Sequence, residues 1–103
     1  MNNLKEKLFN LIEKKESDMI DIRRHLHQHP ELSFEEAQTA EYIKSFYEGK
    51  DVKVTQPLEK EHAIIVEIKG GQEGRTIGLR ADFDALPINE ETDVPFKSQN
   101  EGV

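Results

Sequence analysis

The chain has 103 residues, 35% apolar and 34% charged, with no Trp, no Cys and a formal charge of −7 at neutral pH. An excess of 21 Asp and Glu over 14 Lys and Arg argues against a nucleic-acid backbone or an anionic membrane surface as partner. The lack of Cys excludes disulfides and thiolate metal sites, and the charge-studded N-terminal stretch "MNNLKEKLFNLIEKKESD" holds no signal-peptide core. No apolar run approaches the ~20 residues of a membrane helix, so a soluble, cytoplasmic chain is expected.

From Leu4 the apolar residues fall at Leu8, Leu11, Ile12, Met19, Ile22 and Leu26, which share one helical face with Lys and Glu opposite. Pro30 ends this first helix, and His29 before it is biased away from helical angles. A second helix is expected from "LSFEEAQTAEYIKSFYEGK" (32–50), with Ser33 as N-cap and Glu36 completing a capping box. Its apolar stripe is Phe34, Ala37, Ala40, Ile43 and Tyr47, and Gly49 is its stop. The short connection predicts that the two helices pack on each other or on a common sheet. Three strand candidates follow, "VKVT" (52–55), "AIIVEI" (63–68) and "RTIGLRADF" (75–83). "KGGQEG" (69–74) reads as a hairpin turn between the last two. The class is therefore α/β, two helices and then about three strands. The tail "PINEETDVPFKSQNEGV" (87–103) has neither period and brings no closing element. An incomplete fold is expected, with sheet edges left uncovered.

Two clusters carry candidate chemistry. In "RRHLHQHPE", His25 and His29 are four apart, a chelating spacing on a helix. The metalloprotease form of that motif needs Glu after the first His, where Leu26 stands, and a third ligand would have to come from distant His62. A supporting role is preferred over metal binding. Asp82 and Asp84, with Arg80, alternate along the third strand candidate and would face one side. Like charges so close raise one another's pKa unless a cation sits between them, and Arg80 would supply one. From residue types alone, acids closing a loop before Pro87 remain the leading explanation. "GGQEG" lacks the Lys and Ser/Thr of a phosphate loop.

Three segments together shift that balance. "IRRHLHQHPELSFEEAQTAEYI" (22–43), "GRTIGLRADFDALPI" (74–88) and "NEETDVPFKSQNEGV" (89–103) resemble the start of an amidohydrolase of metallopeptidase family M-twenty. That branch includes hippurate hydrolases, N-acyl-amino-acid and N-acetyl-diaminopimelate deacetylases, and auxin-conjugate hydrolases. The resemblance implies a helix-flanked sheet in a catalytic domain, with an inserted smaller domain that carries dimer contacts. It also implies two divalent metals, zinc or manganese, and a small N-acyl-amino-acid substrate. On it, Asp82 matches an aspartate beside the metal centre that orients a metal ligand. Asp84 and Arg80 shape the same loop, and His25 and His27 support the fold and the rim.

The family's His-x-Cys-Gly-His-Asp motif, which supplies metal ligands, would begin just past Val103. Residues 1–103 are therefore expected to be the N-terminal part of the catalytic domain, without the inserted dimerisation domain and the rest of the catalytic domain. No metal ligand is expected in this chain, no metal bound to it and no activity from it alone; a homodimer would need the missing domain. "KEHAIIVEIKG" (60–70) departs from the family's glycine-richer strand start. The alternative is a stand-alone, non-catalytic α/β binding or regulatory module, or the product of a truncated gene.

Overall fold

A computed structural model of the chain describes residues 2–58 and 62–103. Helix α1 spans Asn2–Gln28, 27 residues, a rod of roughly 40 Å at the usual rise per residue. It stops where Pro30 requires, its last turn closed by the His29 amide donating to the His25 carbonyl at 3.1 Å. The apolar stripe forms as expected but is largely uncovered, with Leu4 69% and Leu11 59% exposed. Ile22 and the segment from His25 to Gln28 are partly buried.

Helix α2, Ala37–Phe46, begins later than the capping-box reading predicts. Glu36 occupies the N-cap position without a side-chain bond, and Ser33 donates its hydroxyl to Asp84 instead. The cap is Glu31, whose carboxylate accepts the Thr39 amide, the Thr39 hydroxyl at 2.6 Å and the Gln38 amide at 3.3 Å. A longer acidic side chain reaching back from the preceding turn meets the free amides and the positive end of the helix dipole. Phe34, at φ 66°, sits in the left-handed region and turns the chain before the helix starts. It is therefore 71% exposed, outside the stripe assigned to it from sequence. Gly49, at φ 75°, ends the element as expected, two residues past the Tyr47 C-cap. Ala40, 1% exposed, is the buried apolar residue among those described.

Strands β1 (Lys53–Thr55) and β2 (Ile65–Glu67) form an antiparallel two-stranded sheet. The register places Lys53 opposite Glu67 and Val54 opposite Val66, an ion-compatible pair and a β-branched pair on opposite faces. The expected hairpin across 69–74 is replaced by this β1–β2 pairing. The run 75–83 forms no ladder among the described residues, which corrects the third strand. Its Ile77 and Leu79 are 84% and 97% exposed, and without a neighbouring strand nothing satisfies its backbone in a sheet. The chain is anchored just beyond, by a parallel bridge between Leu32 and Ala85.

The α/β class thus holds, with open faces. The accessible area is 9437 Å², against roughly 6,000 Å² for a closed monomer of this mass. The radius of gyration is 16.5 Å, against about 13 Å for a compact domain of this length.

Candidate functional site

The turn from His27 to Ser33 gathers the site. The Glu31 carbonyl accepts the Ala85 amide at 2.8 Å, Leu32 bridges Ala85, and the Ser33 hydroxyl holds the Asp84 carboxylate. The end of the acidic loop is thereby tied to the approach to α2. Arg80, Asp82 and Asp84 line one cleft of about 410 Å³ with Ser33, His62 and Ile64. Ala81 and Phe83 line the same cleft, so a loop gathers the whole run 80–84 there, and not the strand alternation expected from sequence. The partners of the charged residues differ. Arg80 Nη2 lies 3.0 Å from Asp82 Oδ1, with the two side chains 88% and 64% exposed. Such an exposed pair is weak and exchanges readily with water or another cation.

The two histidines go elsewhere. His25 stacks on Tyr42 of α2, ring centroids 3.8 Å apart and planes 10° apart. Burial pushes its pKa down, and neighbouring His29 adds to this. It lines a separate pocket with His29, Gln38 and Thr39. His27 Nε2 lies 3.0 and 2.9 Å from the two carboxylate oxygens of Glu90, and its ring meets Phe96 edge-on at 5.7 Å.

Glu90 also accepts the Thr92 hydroxyl and the Ser98 amide, the latter at 2.7 Å. The Thr92 hydroxyl, the Ser98 amide and then His27 hold its pKa at about 2, against the smaller opposing effect of burial. Glu31 is also held below the usual carboxylate range. Burial acts upward on it, and the Thr39 hydroxyl and the Thr39 and Gln38 amides together outweigh that, with a smaller contribution from His62.

Among the described residues no group of three or more His, Cys, Asp or Glu is placed to hold a metal ion. Asp82 has an arginine where a metal centre would need further donors. These residues by themselves do not fit a two-metal site. No described helix is long and apolar enough to cross a membrane.

No protein-family model matches the chain. N-acetyldiaminopimelate deacetylase of Lactobacillus helveticus is 44% identical over 91 residues, 85% of this chain and 24% of that protein. A crystal structure of a candidate aminohydrolase from methicillin resistant Staphylococcus aureus superposes with a TM-score of 0.88 at 52% identity. It covers 99% of this chain and 26% of that one. The Bacillus subtilis protein YXEP, a dinuclear metal binding peptidase of family M-twenty, superposes at 0.76 with 44% identity, over 84% of this chain and 24% of its own. The homologues of this chain are M-twenty amidohydrolases and deacetylases. The chain spans about a quarter of the length of these M-twenty relatives.

Among the described residues, two that sequence reasoning gave no role organise the structure. Glu31 caps α2, and Glu90 anchors the tail. Glu31 stood in the His-Pro-Glu signature without an assigned task; its spacing to Thr39 suits no standard cap. Glu90 carried no signal, since one acid among several in an aperiodic segment has no pattern to betray a distant histidine.

Proposed function

We propose that these residues are the N-terminal part of the catalytic domain of a metal-dependent amidohydrolase that cleaves an N-acyl or peptide-like amide of an amino acid. The observation that carries the reading is the Arg80–Asp82–Asp84 cleft, fastened to the His27–Ser33 turn. It stands in a chain 44% identical to a dinuclear metal binding peptidase. In the whole enzyme Asp82 orients a metal ligand contributed from outside these residues, where a fixed carboxylate raises the ligand's basicity. Arg80 and Asp84 shape the loop, Ser33 holds Asp84, and His25 and His27 support the helix end behind it. Zinc or manganese, two ions per site, would supply amide polarisation and an activated water when bound. The substrate class is a small N-acyl amino acid, neither a nucleic acid nor a membrane is a partner, the compartment is the cytoplasm, and an inserted domain provides the dimer contact.

The open faces favour a domain portion over a stand-alone binding module, which would bury Leu4, Ile77 and Leu79; these are 69%, 84% and 97% exposed. On this reading residues 1–103 bind no metal pair and hydrolyse nothing by themselves. The test is to incubate the purified chain with N-acetyl amino acids in zinc or manganese, and to titrate each metal calorimetrically. No turnover and no two-site binding are expected. Metal-dependent hydrolysis abolished by a chelator would overturn the proposal.

A further inference from the structure

Segment 89–103 has no secondary structure of its own, yet it is fastened to the end of α1 at several separate points. The Gln99 amide donates to the Gln28 carbonyl at 2.8 Å. Asn100 Nδ2 donates to the Pro30 carbonyl at 3.0 Å. The Arg24 guanidinium lies 4.5 Å from the centre of the Phe96 ring. Within the segment, the Ser98 hydroxyl donates to the Val103 carbonyl at 2.8 Å, which draws the far end toward the same region. Glu90 is the junction of the two sets. It takes the Ser98 amide and the Thr92 hydroxyl from inside the segment, and meets His27 of α1 with both oxygens.

We infer that Glu90 is the latch of a clasp: through His27 it positions segment 89–103 on the end of α1, so that the segment docks and releases as one unit. The physical reason is the shared acceptor. One carboxylate satisfies donors on both sides of the contact, so loss of either side weakens the other, as in any connected polar network. The turn that receives the tail through Gln28 and Pro30 also holds Ala85 through Glu31 and Asp84 through Ser33. Release of the clasp therefore frees one side of that turn while the α2 cap and the cleft bonds, which do not involve Glu90, persist. His27 of α1 contacts Glu90 directly, Arg24 of α1 lies over Phe96 of the tail, and Glu91, Lys97 and Glu101 of the tail line the same pocket as Glu90. Glu90 is a positioning residue for the segment, and this role holds independently of the proposed enzymatic one.

The experiment is amide hydrogen exchange on the full chain, comparing wild type with Glu90→Gln. The amide side chain keeps the size but has one acceptor oxygen in place of two. In wild type the Ser98 and Gln99 amides should be protected. In Glu90→Gln both should lose at least ~10-fold protection, the loss expected when a hydrogen bond to a charged group is removed, while Ala40 and Tyr47 in and beside α2 keep theirs. The Gln99 amide is decisive, because it bonds Gln28 and never touches Glu90. Unprotected Ser98 and Gln99 in wild type would overturn the inference, as would loss at Ser98 with Gln99 unchanged. If Glu90→Gln also strips α2, the milder Thr92→Val decides. Loss confined to 89–103 supports the clasp, and uniform or no loss refutes it.

Discussion

Replacing Glu31 by Ala removes the cap of α2 and should cost about 2–4 kcal/mol. A lost helix N-cap costs roughly 1 kcal/mol, and the Thr39 side of the contact adds to it. Thr39 is only 5% exposed, and its amide and hydroxyl both donate to the Glu31 carboxylate. Stranding a buried donor costs a further ~1–3 kcal/mol. The molecule provides a local reporter. Its two tyrosines, Tyr42 and Tyr47, lie in α2 and at its C-cap, and there is no Trp. Intrinsic tyrosine fluorescence therefore follows α2, and far-ultraviolet circular dichroism is dominated by the long α1. With a urea slope of about 1–2 kcal/mol per molar for a small unit, the fluorescence midpoint should fall by at least roughly 1 M. Circular dichroism should show a smaller change. The effect should also fade in acid. The Glu31 carboxyl is held below its reference value of 4.5, so its contribution is complete above that value and disappears as pH falls through the lower folded value. Wild type and variant should converge there. An unchanged fluorescence midpoint at neutral pH would refute the assignment of Glu31 as the cap.

Other expectations follow from the same geometry. The Glu90 pKa of about 2 lies below the reference 4.5, so its stabilising contribution is present above 4.5 and lost as pH falls through about 2. The Ser98 amide resonance should titrate near that lower value, and a midpoint at 4.5 would contradict the three-donor arrangement. Gly49→Ala forces a side chain into φ 75° and should cost about 1–2 kcal/mol in thermal unfolding read by tyrosine fluorescence. A neutral result would mean that the turn after α2 relaxes freely. Asp82→Asn breaks an exposed pair with Arg80 and should change stability by less than about 0.5 kcal/mol in urea unfolding. A larger loss would show that Asp82 holds the fold together, against its proposed service to a catalytic site.

The parts of the fold that were legible in the sequence are those dictated by local chemistry. The periodic Leu and Ile of α1, the Pro30 stop, the Gly49 exit from α2 and the β-branched runs at 53–55 and 65–67 all appear where residue pattern puts them. Each depends on neighbours within a turn or two. The readings that failed depended on distant partners. Ser33 is a good N-cap by composition, yet Asp84 is 51 positions away and claims its hydroxyl. The 75–83 run has strand composition, but a ladder needs a second strand, and β1 had already taken β2. The acidic loop at 80–84 stands out in the sequence by its spacing, but all five of its residues line the cleft, so the spacing is not what brings its charged groups together.

The sequence by itself determined the two helices, the Pro30 stop of α1 and the Gly49 exit from α2, two of the strand-forming runs and the M-twenty resemblance, because side-chain periodicity and backbone restriction act over short spans of chain. Tertiary structure alone decided which donor each carboxylate serves. Glu31 turns back onto α2, Asp84 meets Ser33, and Glu90 reaches His27 across 63 positions. A carboxylate accepts from whatever donors folding brings within about 3 Å, and nothing in its local sequence records which these will be.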